Sequence, residues 1–198
     1  MKPILLGTLV LIASLAVTHG QSEKAREKPV KESPVIADSA PPPSTLTEMV
    51  AEADAVVIAR ATGRARLKAR QQADSALLST HSLVVEETIK FFPAVPVAGE
   101  VLDLDLLGGT REYDSYILSQ FVKDWDRILP NHRYLIFVRY LSNEFGQRLV
   151  PCWAAAGIFD ITGNSAKSLN QRFRRYDPKT PTEFLGDVRA VAKGAKRP

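Results

Sequence analysis

Apolar and polar residues alternate with a period of two in several short stretches, which is the spacing of a β-strand with one buried face. The clearest stretch is 102–106 (LDLDL), where leucines alternate with Asp103 and Asp105. Longer apolar runs indicate strands that are covered on both faces. The predicted strands are residues 55–61, 83–91, 102–106, 133–141, 147–153 and 157–161. A turn at residues 143–146 (NEFG) joins the fourth and fifth of these into a hairpin.

Two further segments carry the signals of a helix start. Residues 45–48 (TLTE) and 180–183 (TPTE) both have the capping-box spacing, in which a threonine and a glutamate satisfy each other's backbone amides. The second segment also places proline at the first helical position. These signals predict helices over residues 45–53 and 181–193. Residues 110–130 leave two interpretations open, a helix packed on the body or a long ordered excursion.

Short strands with a helix at each end predict a mainly β fold. We expect residues 44–198 to form a small OB-like Greek-key β-barrel with a short N-terminal helix and a closing C-terminal helix. Glu87 shares the alternating register of the apolar residues Leu83, Val85 and Ile89. Either a β-bulge turns Glu87 outward, or its carboxylate needs a buried partner.

The first 43 residues differ in composition from the rest of the chain. Residues 4–17 form an uncharged apolar run of the length of a signal-peptide core, followed by a permissible cleavage site before Gln21. Residues 21–43 carry prolines and mixed charges but no aromatic residue, which is typical of a disordered tether. The sequence therefore predicts a signal peptide over residues 1–20, a tether over 21–43, and export to the periplasm or the exterior. No transmembrane segment is expected after signal removal, although an uncleaved signal would act as an anchor.

One run of basic residues is the strongest charged feature of the predicted domain. We expect it in the loop after the first strand, as a binding surface of five residues: Arg60, Arg64, Arg66, Lys68 and Arg70. OB-type barrels bind oligonucleotides or oligosaccharides partly through that loop. Aromatic residues that could stack on bases do not interleave with this run. The net charge of +4 is also mild, so the sequence favours a protein or an envelope polymer as the partner over nucleic acid.

The residue types of catalytic and metal sites are few and scattered. Cys152 is the single cysteine, so the domain is expected to hold together without an internal disulfide. The hairpin places Cys152 opposite Ile136 or Phe137, about 13 Å along the ladder from His132, which favours a buried and unreactive thiol. His132 and His81 lack any recognised metal-ligand spacing. We therefore predict no catalytic residue, no metal and no cofactor.

Three polar clusters have simple structural interpretations. Asp103 and Asp105 are expected on the solvent side of their strand. Residues 124–126 (DWD) lack the glycine and the terminal glutamate of a calcium loop and are interpreted as a solvated turn. Residues 172–176 (RFRRY) form a second basic patch, which we expect to cap the barrel.

Five motifs together resemble netrin-like domains, the OB-type barrels of the tissue inhibitors of metalloproteinases, and a group of exported bacterial domains without assigned activity. The motifs are residues 53–61 (ADAVVIARA), 85–90 (VEETIK), 108–109 (GG), 133–137 (RYLIF) and 157–159 (GIF). This resemblance implies the barrel fold. It does not imply zinc chelation, because those inhibitors use a mature N-terminal cysteine, whereas the predicted first residue here is Gln21.

The sequence thus favours an exported, non-enzymatic barrel domain that presents loops to a protein or an envelope polymer. Two alternatives remain at this stage. One is a hydrolase or metal-dependent enzyme whose site is assembled from residues far apart in sequence. The other is a protease inhibitor that works by loop insertion.

Overall fold

The structure is a computed structural model, and it describes residues 28–35, 41–68, 76–143, 146–174 and 179–194. The α-helices within these ranges are α1 (Leu46–Glu52) and α2 (Pro181–Gly194). The ten strands of the described residues are β1 (Val30–Val35), β2 (Ala55–Lys68), β3 (Leu78–Lys90), β4 (Val101–Leu107), β5 (Gly109–Glu112), β6 (Ile117–Val122), β7 (Arg133–Asn143), β8 (Gly146–Pro151), β9 (Ile158–Asp160) and β10 (Lys167–Ser168). The predictions of a mainly β fold, of an N-terminal helix and of a closing helix are confirmed.

Seven of the described strands form one curled antiparallel sheet, six of them in the order β10-β9-β7-β2-β3-β4 and the seventh, β8, paired with β7. One edge of β7 pairs with β9 along its first half and with β8 along its second half. Three register shifts interrupt the pairing of β2 with β3, and irregularities of this kind bend a strand pair. The sheet curls into a half-barrel, in which β4 lies close to β8.

The central strand β2 separates two apolar clusters, because its successive side chains point to opposite faces. Val56 and Ile58 face a cluster that also holds buried residues of both helices. Val57 and Ala59 face the second cluster, inside the curl of the sheet. The continuous apolar run in β2 is therefore explained by a strand that is buried on both faces.

The helices are fixed at their ends by polar contacts. At α1, Glu48 N–H donates to Thr45 Oγ1 over 3.2 Å and Thr45 N–H donates to Glu48 Oε2 over 3.1 Å, which confirms the predicted capping box. The ammonium group of Lys90 on β3 donates to the carbonyl oxygens of Val50 (2.9 Å) and Ala51 (3.1 Å) near the C-terminus of α1. A cation at this end also complements the helix dipole.

Of the two alternatives that the position of Glu87 left open, the structure agrees with an irregularity in the strand, since Glu87 is only half-buried. A register shift lies next to it in the β2–β3 pairing, and its carboxylate accepts two hydrogen bonds from the Arg189 guanidinium of α2, at 2.8 and 2.6 Å. The Arg189 hydrogen bond is the largest cause that lowers the pKa of Glu87. This pair ties the closing helix to the sheet.

Residues 110–130 contain no helix, and the ordered excursion is the correct interpretation. β5 and β6 pair within it, and β1 adds in parallel to the other edge of β6 to make a second, three-stranded sheet. β1 lies inside the segment predicted as a disordered tether, so that prediction is wrong for residues 30–35. The physical reason is that the edge of β6 has backbone N–H and C=O groups to which an extended segment can hydrogen-bond. Such pairing does not require the segment to bury apolar side chains. Residues 1–27 lie outside the described residues.

Candidate functional site

A pocket of about 310 Å³ lies between the two sheets, where the ends of β2, β3 and β4 meet β6 and the segment after it. Its volume is at the lower end of the range for small-ligand sites. Apolar side chains form most of its wall, namely those of Leu67, Leu106, Phe121, Trp125, Ile128 and Leu169. Such a wall favours the burial of an apolar group.

Gly108 and Gly109 shape the pocket by turning the chain out of the curled sheet. Their φ angles are +101° and +139°, values that side chains with a Cβ disfavour. A Cβ on Gly109 would also lie 3.0 Å from Leu67 Cδ2, and one on Gly108 would lie 3.0 Å from the Gln120 carbonyl oxygen. This glycine pair therefore allows β5 and β6 to approach β2 closely.

One polar pair faces the pocket from β3. Ser79 and His81 are two residues apart and share one face of the strand, and the Ser79 hydroxyl lies 3.1 Å from His81 Nε2. Burial lowers the pKa of His81, so the neutral imidazole predominates at neutral pH. The pocket thus combines an apolar wall with several polar side chains, among which Ser79 and His81 form an uncharged hydrogen-bonding pair.

The far wall of the pocket belongs to a loop that is held in place by ion pairs. Arg172 contacts the Asp124 carboxylate at 2.6 Å and Arg174 contacts Asp126 at 2.5 Å. The Gln171 side-chain amide also donates to Asp126 over 2.7 Å. The turn at residues 124–126, which we interpreted as solvated, therefore binds the start of the second basic patch. Residues 175 and 176 of that patch lie outside the described residues.

The predicted basic surface lies on a strand and not in a loop. β2 continues beyond Gly63 to Lys68, because Ala65 to Lys68 pair with the first residues of β3. The β3 strand also begins five residues earlier than expected, at Leu78 in place of Leu83. Arg60, Arg64 and Arg66 are all residues of β2. Arg70 and the side chain of Lys68 lie outside the described residues.

Two residues of this basic surface are engaged in ion pairs. Arg60 contacts Glu86 at 2.8 Å, and Arg133 of β7 contacts the same carboxylate at 2.7 Å. Arg66 pairs with Asp103 of β4 and also lines the pocket. Arg66 is therefore the one residue of the predicted set that the described structure brings to the pocket.

Asp103 and Asp105 do not share a solvated face as predicted. Asp105 is buried and accepts a hydrogen bond from the Thr80 hydroxyl at 2.7 Å. Asp103 is half-buried and accepts one from the Ser82 hydroxyl at 2.6 Å. The difference arises because the curl of the sheet places β8 beside β4, a contact between distant strands that alternation along β4 does not reveal.

Cys152 is buried, and its backbone N–H donates to the Phe137 carbonyl over 2.8 Å, which confirms the predicted hairpin register. Burial raises the pKa of its thiol to about 12. His132 instead contacts Asp160 at 2.7 Å. Among the described residues, no three histidine, cysteine or carboxylate side chains converge as a metal site.

Sequence reasoning missed the pocket because its walls come from segments that are far apart in the chain. The spacing of two between Ser79 and His81 would have placed them on one face of a strand. The predicted strand began at residue 83, so this spacing was not used. The described helices include none that is long and apolar enough to cross a bilayer. Comparison with protein-family models, curated proteins and solved structures finds no significant match, so the resemblance to netrin-like domains stays a prediction.

Proposed function

We propose that this chain is an exported, non-enzymatic domain that binds another protein or an envelope polymer, and that the pocket between the two sheets receives an apolar group of that partner. The observation that carries the proposal is the wall of the pocket, which is mostly apolar and includes the neutral Ser79–His81 pair among a few polar side chains. Ligand sites typically combine a large apolar surface with a few placed polar groups.

The charged groups around the pocket also favour binding over chemistry. Asp126 faces the pocket but is held by Gln171 and Arg174. The Cys152 thiol, with its raised pKa, is buried in the other cluster, under the helices. Arg66 and Arg127 are exposed beside the pocket, where cations attract a partner without entering the apolar interior.

We further propose that the curled sheet is an OB-like Greek-key barrel related to netrin-like domains. The order of its strands supports this proposal, because β8, β7, β2, β3 and β4 follow one another around the sheet and β4 returns to β8. Five strands closing in this way are typical of OB-type barrels. A solved structure with backbone hydrogen bonds from β4 to β8 would support the closed form, and a gap wide enough for water would contradict it.

Retention of envelope material on immobilised chain tests the binding function. Ala65 lies on β2 opposite His81, is exposed and lines the pocket, so Ala65→Trp is designed to fill the pocket without cutting into the core. Val101→Trp is the matched control, since it adds the same ring on an exposed residue of β4 that lies outside the pocket wall. We expect the same retained component with the native chain and the control, and its loss with Ala65→Trp. Equal retention by all three chains would contradict a role for the pocket.

Export is tested separately by expressing the full-length chain in a bacterium and measuring the mass of the product. We expect a product that begins at Gln21 in the periplasm or the medium. An intact chain confined to the cytoplasm would contradict export.

One observation favours a hydrolase as a second candidate. The Ser79 hydroxyl and His81 Nε2 are 3.1 Å apart, a distance at which an imidazole activates a serine nucleophile. Among the described residues, no acidic side chain is hydrogen-bonded to the other ring nitrogen of His81, so the orienting group of a triad is not shown. A fluorophosphonate adduct on Ser79 that disappears in His81→Ala would establish the hydrolase, and an unmodified Ser79 would support the binding function.

A further inference from the structure

The edge of β6 is occupied by a strand that contributes almost nothing to the apolar interior. No residue of β1 is buried, and Val30 is 59% exposed. By contrast, Ser119 and Val122 of β6 are buried. β1 is therefore held mainly through its backbone. The free energy that these hydrogen bonds supply only slightly exceeds the conformational entropy that the strand loses on ordering.

The register of the parallel pairing shows which backbone groups hold β1. Ile117 N–H donates to the Pro29 carbonyl over 3.0 Å, and Val30 is aligned with Ile117. In a parallel ladder, alternate residues direct both of their backbone groups to the neighbouring strand. Lys31 and Ser33 accordingly face β6, whereas residues 30, 32 and 34 direct their backbone groups away from it.

Pro34 consequently lies at an outward-facing position, where its missing N–H costs no hydrogen bond to β6. The same proline interrupts the outer edge of β1 and discourages the addition of another strand there. The sheet can then accept a foreign strand at the β6 edge only after β1 has left it. Because β1 joins the domain only through the segment before α1, its departure leaves the β5–β6 pairing intact.

Two side-chain contacts define the chemistry that fits this edge. The Lys28 ammonium contacts the Glu112 carboxylate at 2.6 Å, and the Lys31 ammonium lies 4.1 Å from the centre of the Tyr116 ring. Lys28 just before β1 and Lys31 within β1 are thus cations that each meet an acceptor on the β5–β6 hairpin. A segment that replaces β1 should therefore carry a cation at these two positions.

We propose that the β6 edge is a binding site for an extended basic peptide segment of a partner protein, which pairs in parallel with β6, and that β1 is the resident occupant of this site. This mode of recognition is strand addition, in which main-chain hydrogen bonds supply affinity and alternate side chains supply specificity. β6 also lines the pocket between the sheets, but none of residues 28–35 does, so the site does not depend on the pocket having a ligand.

A full-length chain with a protease-cleavage sequence inserted between residues 36 and 40 tests this inference. After cleavage, β1 is held without a covalent link to the domain. A fluorescent peptide with the sequence of residues 28–35 (KPVKESPV) serves as the probe, and its binding is followed by anisotropy. We expect the peptide to bind the cleaved chain saturably, to be displaced by its unlabelled form, and to bind the uncleaved chain far more weakly because tethered β1 competes.

Two proline-substituted peptides distinguish backbone pairing from unspecific attraction. Ser33→Pro removes an N–H that faces β6, so this peptide should bind about tenfold more weakly. Glu32→Pro places the same ring at an outward-facing position and should change the affinity by no more than about twofold. Equal affinity of the two variants would overturn the proposal. So would a cleaved chain that retains its own β1 and admits no labelled peptide, because β1 would then be a permanent part of the fold.

Discussion

Replacing Gly157 with alanine is expected to destabilise the domain through a steric clash. The φ angle of Gly157 is not positive, so space alone limits the substitution. A Cβ at this residue would lie 2.1 Å from the Cys152 carbonyl oxygen and 3.0 Å from its carbonyl carbon. Favourable contacts between non-bonded heavy atoms begin near about 3.5 Å, so these two backbone segments would have to separate by more than about 1 Å.

The surroundings of Gly157 determine how much that movement costs. Cys152, Ala155, Ala156 and Ile158 are all buried, so the displaced backbone would disturb a packed region. One extra carbon in a well-packed core costs about 1–3 kcal/mol. Because the clash here is with a backbone carbonyl and not with a flexible side chain, we expect a loss of about 3 kcal/mol.

Urea unfolding followed by tryptophan fluorescence measures this effect. With a slope of about 2 kcal/mol per molar urea, the midpoint should fall by roughly 1.5 M. Gly163→Ala is the matched control, since a Cβ there would meet nothing within 4 Å and should change stability by less than about 0.5 kcal/mol. If both variants unfold at the same urea concentration, the close approach of Gly157 to Cys152 is refuted.

Four further predictions concern other parts of the fold. Lys90→Met removes the ammonium group from the carbonyl oxygens at the end of α1 and should lower the free energy of unfolding by about 1–2 kcal/mol; an unchanged urea midpoint would contradict the contact. Gly186→Ala introduces a Cβ that meets nothing within 4 Å inside α2 and should raise stability by about 0.5–1 kcal/mol; a lower melting temperature would argue against a helix there. Burial raises the pKa of the Cys152 thiol to about 12. Iodoacetamide at about pH 8 should therefore alkylate Cys152 only after denaturation, and rapid alkylation of the folded chain would contradict its burial. Burial lowers the pKa of His81, so the unfolded chain takes up a proton there first as the pH falls. Stability should decline as the pH drops from about 6.5 toward the lower folded pKa, and His81→Gln should flatten that part of the profile; an identical pH profile for the two chains would refute the burial of His81.

Local signals in the sequence predicted the parts of the fold that depend on nearby residues. The capping box at residues 45–48 located α1, because its hydrogen bonds join residues three apart. The run at residues 56–58 indicated a strand covered on both faces, and its successive side chains do pack alternately against the two clusters. Glu87 was recognised as an exception to alternation, and its position in the fold explains that exception through Arg189.

The features that sequence reasoning missed depend on contacts between distant segments. Nothing local to residues 30–35 marks them as a strand, because their partner β6 lies more than 80 residues away. Asp105 looks solvated in its own strand, and only the approach of β8 to β4 buries it. The pocket likewise exists only once the glycine pair at residues 108–109 has turned β5 and β6 back over β2.

The most direct test of the proposed function is a titration of the chain with anilinonaphthalene sulfonate, an apolar fluorescent probe with one anionic group. The pocket should take the probe at a single saturable site, with its rings against the apolar wall and its charge near Arg66 and Arg127. We predict equal binding to the native chain and Val101→Trp, and binding at least about tenfold weaker to Ala65→Trp. The account is contradicted if the native chain shows no saturable binding, or if Ala65→Trp binds the probe as tightly as the native chain does.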